Sequence, residues 1–389
     1  MNDFAFHIPT KMFFGKDCLS KLNSEMKSFG KRVLIVYGGG SVIRTGLMDR
    51  IKELLQDDFE LFEHGGIEPN PKIGSIRKGA EKCKENSIDI VLAVGGGSVI
   101  DASKAIAAGA CVDFDPWEFY GGPRKPIEKA LPLFTIVTMA STGSEMTCGA
   151  VISNDETREK LGRGGFPVFP KASFLDPELT YSVPPFQTAC GAADILSHVM
   201  ESYFKKDVDF SLLDRMMEGV MKAVIANAKI ALAEPENYEA RGNLMWAASW
   251  AINGLFGGGS RQVWSCHPIE HELSARYDMT HGLGLAIITP KWLRYCMETD
   301  PETRTKVREF GANVFGTADE NEAVESLENF LYNELGLVST LDEAGIEDPD
   351  TEDMAAAICK KSDINGFIPL DKKAVQEILE ACRKKGAKR

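Results

Sequence analysis

One unit recurs three times in the first half of the chain and limits what it can fold into. A short run rich in β-branched residues is followed by a turn of glycine and hydroxyl residues, and then by a helical pattern. Residues 32–37 (RVLIVY) lead into Gly38-Gly39-Gly40-Ser41. Residues 88–94 (IDIVLAV) lead into Gly95-Gly96-Gly97-Ser98, and residues 133–138 (LFTIVT) into residues 139–144. Strand, tight turn and helix in repetition imply parallel strands joined by helical crossovers, since a tight hairpin cannot connect parallel neighbours. Ligands of such sheets bind beyond the carboxyl ends of the strands. All three turns fall on that edge.

From Pro184-Pro185 onward the pattern changes. Helical periodicity covers residues 189–204, 212–233, 238–255, 261–277, 285–297, 323–334 and 372–385, and strand signals nearly vanish. We expect an α/β dinucleotide-binding domain over residues 1–183. An all-α domain over 184–389 is expected to bind metal and carry catalysis. A chain of 389 residues, 44% of them hydrophobic, is long enough to bury two such cores.

Charge and cysteine usage narrow the function. The net charge of −13 argues against nucleic acid or an anionic membrane as partner, because both require basic patches. An anionic cofactor can still be held locally by backbone amides and a few lysines. The nine cysteines form no CxxC pair and are odd in number, which points to a reducing compartment rather than a disulfide framework. The N-terminal stretch lacks the basic and apolar regions of a signal peptide, and no apolar run approaches the ~20 residues of a membrane span. A cytoplasmic location is expected. The basic tail, residues 383–389 (RKKGAKR), reads as a frayed end. The apolar stretch FAFHIPTKMFF, residues 4–14, suggests pairing across a homodimer.

Each glycine turn has a functional and a local reading. Gly95, Gly96 and Gly97 let backbone amides approach a pyrophosphate, and the following helix adds free N–H groups and a positive dipole end. Locally, Ser98 reads as an N-cap with Asp101 closing a capping box. The turn Gly38, Gly39, Gly40 and Ser41 contains no carboxylate, and neither glycine turn matches GxGxxG. Nothing there repels a 2′-phosphate, so NADP(H) is admitted and favoured over NAD(H). In the third turn, Thr138, Ser141 and Thr142 offer hydroxyls to ribose, phosphate or the nicotinamide amide. Thr142 and Glu145 also fit a capping box. Lys160 reads either as a phosphate partner or as a solvated charge.

Four of the six histidines lie within one window of the second half. Asp194 and His198 stand four apart in a helical stretch, as do His267 and His271, so each pair shares a helix face. His281 follows in THGLGLAI. Five candidates thus exist for about four places around Fe2+ or Zn2+, with one position left for substrate. Trp246, Trp250, Phe256, Trp264 and Trp292 read either as a substrate pocket or as core.

Other classes fit less well. His267-x-x-x-His271 has the spacing of HExxH, but Pro268 stands where a metallopeptidase needs its general base. A dehydroquinate synthase-like lyase acts on an anionic substrate, and the segments around these histidines are poor in Arg and Lys. A non-catalytic NADP-binding protein would leave the histidine cluster without a purpose.

Taken together, five motifs resemble the iron-containing (group III) alcohol dehydrogenase family, in its butanol dehydrogenase-like branch. They are GGGSVIDASKAIA at 95–107, TMASTGSE at 138–145, FLDPELTYSVPP at 174–185, GAADILSHVMESY at 191–203 and CHPIEHELSARYDMTHGLGLAI at 266–287. The likeness covers nearly the whole chain. It implies a dehydroquinate synthase-like fold and hydride transfer between NAD(P)(H) and a primary alcohol or aldehyde. It further implies metal ligands at Asp194, His198, His267 and His281, with His271 near the substrate as a catalytic proton relay. The cofactor-facing residues that it implies are Gly95–Ser98, Thr138, Ser141, Thr142, Thr147, Lys160 and Asn70. NAD-preferring relatives carry an aspartate in the first glycine turn, and this chain does not.

Overall fold

The computed structural model describes residues 3–206, 211–258, 264–360 and 362–383. Arg261 at the expected start of one helix and residues 384–389 of the basic tail lie outside the described residues. The chain divides into two compact units. One spans His7–Val183 with Pro235–Asn253; the other spans Met1–Phe6, Pro184–Glu234 and Gly254–Arg389.

The first unit is built on a six-stranded sheet. Its strands are β1 (Lys11–Phe14), β2 (Arg32–Tyr37), β3 (Glu60–His64), β4 (Ile90–Gly95), β5 (Leu133–Val137) and β8 (Ala172–Leu175). Their spatial order is β1-β8-β5-β4-β2-β3, and every neighbouring pair is parallel. Both faces of the sheet are covered, so the central strands read as unbroken apolar runs rather than alternating ones. Leu34, Val36, Val91 and Ala93 join one buried cluster, and Val33, Ile35, Leu92 and Val94 join the other. An antiparallel hairpin, β6 (Gly149–Asn154) with β7 (Glu159–Gly164), follows the third turn. The sequence periodicity gives no sign of it.

The helix Tyr238–Ile252 was expected in the second half of the chain, yet it belongs to the first unit. Met245 sits in the sheet's core, Trp246 packs edge-on against Phe14 at 5.7 Å between ring centroids, and Ser249 donates to the buried Glu145 carboxylate at 2.5 Å. Periodicity reveals that such a helix has an apolar face, but not which surface that face will cover.

The second unit is helical apart from a small antiparallel pair, β9 (Ile364–Asn365) with β10 (Pro369–Leu370). Its central helix, Pro185–Tyr203, is buried at every position from Thr188 onward. A helix buried on every face is enclosed by others, and its buried Asp194, His198 and Glu201 need polar partners there. The helices Ser211–Ala233 and His281–Thr299 pack against it. Phe204, Trp292, Phe310 and Phe367 form an aromatic cluster with centroid separations of 5.3–6.3 Å. Trp292 is therefore core and not pocket lining. No described helix is long and apolar enough to cross a membrane.

Candidate metal and nucleotide sites

In the helical unit, three helices bring the histidines together. Asp194 and His198 lie one turn apart on Pro185–Tyr203, His267 opens Cys266–Tyr277, and His281 opens His281–Thr299. Gly282 makes the last approach possible: a Cβ there would strike the backbone carbonyl of Cys190. Each of Asp194, His198, His267 and His281 offers one ligand atom within 4.8 Å of the others. Asp194 Oδ1 is 3.5 Å from His198 Nε2 and 3.6 Å from His281 Nε2. The rings of His198 and His267 stack at 4.7 Å.

This donor set fits a divalent cation of the Fe2+ or Zn2+ type, for which three imidazoles and one carboxylate form a normal shell. The Nε2 of His267 is buried and makes no hydrogen bond among the described residues, as a donor atom reserved for a cation would. Burial pushes the His198 imidazole down to about 3, which keeps it in the neutral form that ligation needs.

His271 stands one turn beyond His267, half-buried, with its ring 5.7 Å from His281 and 6.2 Å from His267. It lies beside the four-residue group and outside it. Among the aromatic candidates, Trp264 faces the cluster, at 4.5 Å from His267 and 5.7 Å from His198. Trp246 and Trp250 pack on each other in the α/β unit, and Phe256 is buried.

Two glutamates that the sequence reading passed over complete the surroundings. Glu201 pairs with His267 Nδ1 and also accepts from the backbone N–H groups of Ser265, Cys266 (3.0 Å) and His267 (3.2 Å). Glu270 pairs with His281 Nδ1 and accepts from the Ser274 hydroxyl. Both carboxylates are buried. The helical spacing of Glu201 from His198 was a legible signal, but the imidazole it meets belongs to another helix.

In the α/β unit the glycine turns end β2, β4 and β5, three adjacent strands. Two of the turns touch. Thr138 N–H donates to Gly95 O at 3.1 Å, and a Cβ on Gly97 would lie 2.9 Å from Thr142 Cβ. Gly97 is therefore required by the close approach of the two loops. Gly40, at φ +94°, precedes the short helix Ser41–Arg44. Asn70 Oδ1 accepts from Lys160 Nζ at 2.9 Å, so these two candidates meet although 90 positions separate them.

The expected capping boxes do not form. The helix Gly97–Gly109 starts after Gly96, without a side-chain cap, and Ser98 lies inside its first turn. Asp101 instead accepts from Ser144 Oγ (2.5 Å) and Val151 N–H (2.8 Å). Thr142 Oγ1 accepts from Ser144 N–H, but Glu145 accepts from Ser249 rather than closing the box. In each case a tertiary partner wins over the local one.

The sequence reading also missed Lys104, which is 1% exposed. Its ammonium donates to Ser144 O, Ser144 Oγ and Gly149 O, each at 2.7 Å, and to Thr147 Oγ1 at 3.2 Å. Burial pushes its amine down to about 8, while the nearby Asp101 carboxylate pulls the other way. Burial pushes the Asp101 carboxyl up. Each charge is tolerable only because the other and the surrounding hydrogen bonds compensate it. A lysine inside the apolar run ASKAIAAG was the available signal.

Comparison with known proteins gives the family. Residues 9–177 match iron-containing alcohol dehydrogenase, and residues 188–383 match the C-terminal domain of the Fe-containing alcohol dehydrogenase family. The chain is 47% identical to NADH-dependent butanol dehydrogenase A of Clostridium acetobutylicum, over 98% of this chain and 99% of that one. It is 37% identical to the NADPH-dependent aldehyde reductase of Escherichia coli, over 95% of each. The crystal structure of NADH-dependent butanol dehydrogenase A from Thermotoga maritima superposes with a TM-score of 0.93 at 35% identity, covering 99% of both chains. The chain belongs to the iron-containing alcohol dehydrogenase family and is an NAD(P)-dependent oxidoreductase.

Proposed function

We propose that the protein interconverts a primary alcohol of butanol type and its aldehyde. In this reading Asp194, His198, His267 and His281 hold Fe2+, or Zn2+ in its place, and NADP(H) is preferred to NAD(H). The observation that carries the reading is the convergence of those four ligand atoms within 4.8 Å, in a chain whose other unit presents three loops beyond parallel strands. When bound, the cation supplies Lewis acidity toward the alcohol or carbonyl oxygen, and the nicotinamide exchanges the hydride.

The chain's own residues position and exclude. Gly95, Gly96 and Gly97 leave room for a pyrophosphate against backbone N–H groups. Thr138, Ser141, Thr142 and Thr147 present hydroxyls around the neighbouring turn. Lys160, held by Asn70, supplies a positive charge for phosphate. Trp264 walls the imidazoles with an apolar ring. His271, beside His281, relays the proton of the substrate hydroxyl. A reducing, cytoplasmic setting and a homodimer complete the proposal; all nine cysteines are free thiols, which suits the former.

The preference for NADP(H) rests on the absence of a carboxylate from Gly38, Gly39, Gly40 and Ser41. NAD(H) is favoured by a different observation, the NADH dependence of the clostridial relatives at 47% and 44% identity. Butanal with NADPH or NADH, followed at the reduced-nicotinamide absorbance, separates the two. Faster oxidation of NADPH is expected. Faster oxidation of NADH keeps the enzyme and discards the 2′-phosphate argument. No oxidation of either, with several aldehydes and both metals, removes the proposal.

Gly97→Val tests the nucleotide turn. Its methyl groups would overlap Thr142, and KM for the dinucleotide is expected to rise at least about tenfold with metal content unchanged. An unaltered KM would place the cofactor elsewhere.

A further inference from the structure

The three histidines of the cluster are not equivalent. His267 and His281 each have Nδ1 against a buried carboxylate, whereas His198 Nδ1 is buried with no hydrogen-bond partner among the described residues. A carboxylate only accepts, so the Nδ1 it faces must carry the proton. The lone pair of that ring is then on Nε2. In His267, Nε2 is the buried atom that no described residue bonds; in His281, Nε2 is the atom 3.6 Å from Asp194 Oδ1.

Glu201 does more than pair with one ring. It comes from the helix Pro185–Tyr203, which carries Asp194 and His198, and reaches the start of the helix Cys266–Tyr277. There it gathers the N–H groups of Ser265, Cys266 and His267, which the first turn of that helix leaves without intrahelical partners. One carboxylate thus sets the position of the helix start and the orientation of its first ligand ring. Glu270 acts likewise between helices: it rises from Cys266–Tyr277 and meets His281 at the start of the next helix. Gly284 makes room for it, since a Cβ there would lie 2.7 Å from Glu270 Cγ.

We propose that Glu201 and Glu270 are positioning residues for the metal centre, which fix the tautomer and aim of His267 and His281 and thereby set the affinity for the divalent cation. The proposal rests on the reading of Asp194, His198, His267 and His281 as ligands. Partners of this kind orient ligand rings and raise their basicity, and their loss weakens metal affinity about 10- to 100-fold. Including Asp194, three buried carboxylates surround the group, and their negative charge favours a bound cation.

The test is Glu201→Gln and Glu270→Gln, each a near-isosteric change. Metal-free protein is titrated with Zn2+ against a chromophoric chelator, and thermal unfolding is measured with and without Zn2+. Glu218→Gln serves as a control, since Glu218 is also buried in this unit but bonds Tyr203 and not a histidine. Both positioning variants are expected to bind Zn2+ about 10- to 100-fold more weakly and to lose part of the metal-induced rise in Tm. Glu218→Gln should lower Tm equally with and without Zn2+ and leave affinity unchanged. Wild-type affinity in Glu201→Gln and Glu270→Gln, with only their metal-free Tm lowered, would overturn the proposal and leave the ligand reading intact. Failure of the wild type to bind Zn2+ at all would instead overturn the ligand reading. Should Glu201→Gln not fold, Glu270→Gln decides alone.

Discussion

His267→Ala is expected to leave the purified protein without bound divalent metal and to lower turnover of butanal by about three orders of magnitude or more. His267 stacks on His198 at 4.7 Å, lies 5.1 Å from His281 and has Nε2 buried among them. Its removal leaves three of four ligands and also frees Glu201 in a buried site. Lewis-acid stabilisation by a bound cation is worth several kcal/mol, and each ~1.4 kcal/mol is a factor of ten in rate. Metal analysis and turnover are measured on the same preparation. A variant that retains both would refute the four-residue centre.

Lys104→Met should strongly destabilise the α/β unit. The side chain keeps its length and apolar stem but loses the ammonium that donates to Ser144, Thr147 and Gly149. Asp101 then remains buried with its cation gone. The two charges are joined through the Ser144 hydroxyl, removing one charge from such a buried ionic group costs up to about 3–5 kcal/mol, and urea unfolding of the variant is expected to show a loss of that order. Adding Asp101→Asn should recover part of the loss, because the uncompensated charge is removed with its partner. KM for the dinucleotide should rise too, since Lys104 holds Ser144 at the end of the third turn and Thr147 just after it. A loss below about 1 kcal/mol, well under what removing one charge from such a buried group costs, would show that the lysine is dispensable.

Much of this was legible before any coordinates. The strand 32–37 was read to the residue, and the strands at 88–94 and 133–138 to within one or two positions, because apolar β-branched runs ended by glycine have few other solutions. Asp194 with His198, at helical spacing, was equally plain. The hairpin β6–β7 was not, since Gly149–Asn154 and Glu159–Gly164 lack a clear alternation. The capping boxes at Ser98/Asp101 and Thr142/Glu145 were reasonable local solutions that lost to Ser144, Val151 and Ser249, partners distant in sequence.

The sequence by itself determined the class of most segments, the edge of the sheet where loops gather, the residues able to ligate a cation, and the family. Those properties depend on spacing, on residue chemistry and on motifs, all of which are local. Only the tertiary structure decided that the helix Tyr238–Ile252 belongs with the sheet, that Asn70 meets Lys160, that Lys104 and Asp101 are joined through the Ser144 hydroxyl, and that Nδ1 of His267 and of His281 faces a buried glutamate while Nδ1 of His198 has no partner among the described residues. Each of these is a choice between partners equally capable of the same bond. That choice is made by which surfaces pack together, and no single segment encodes it.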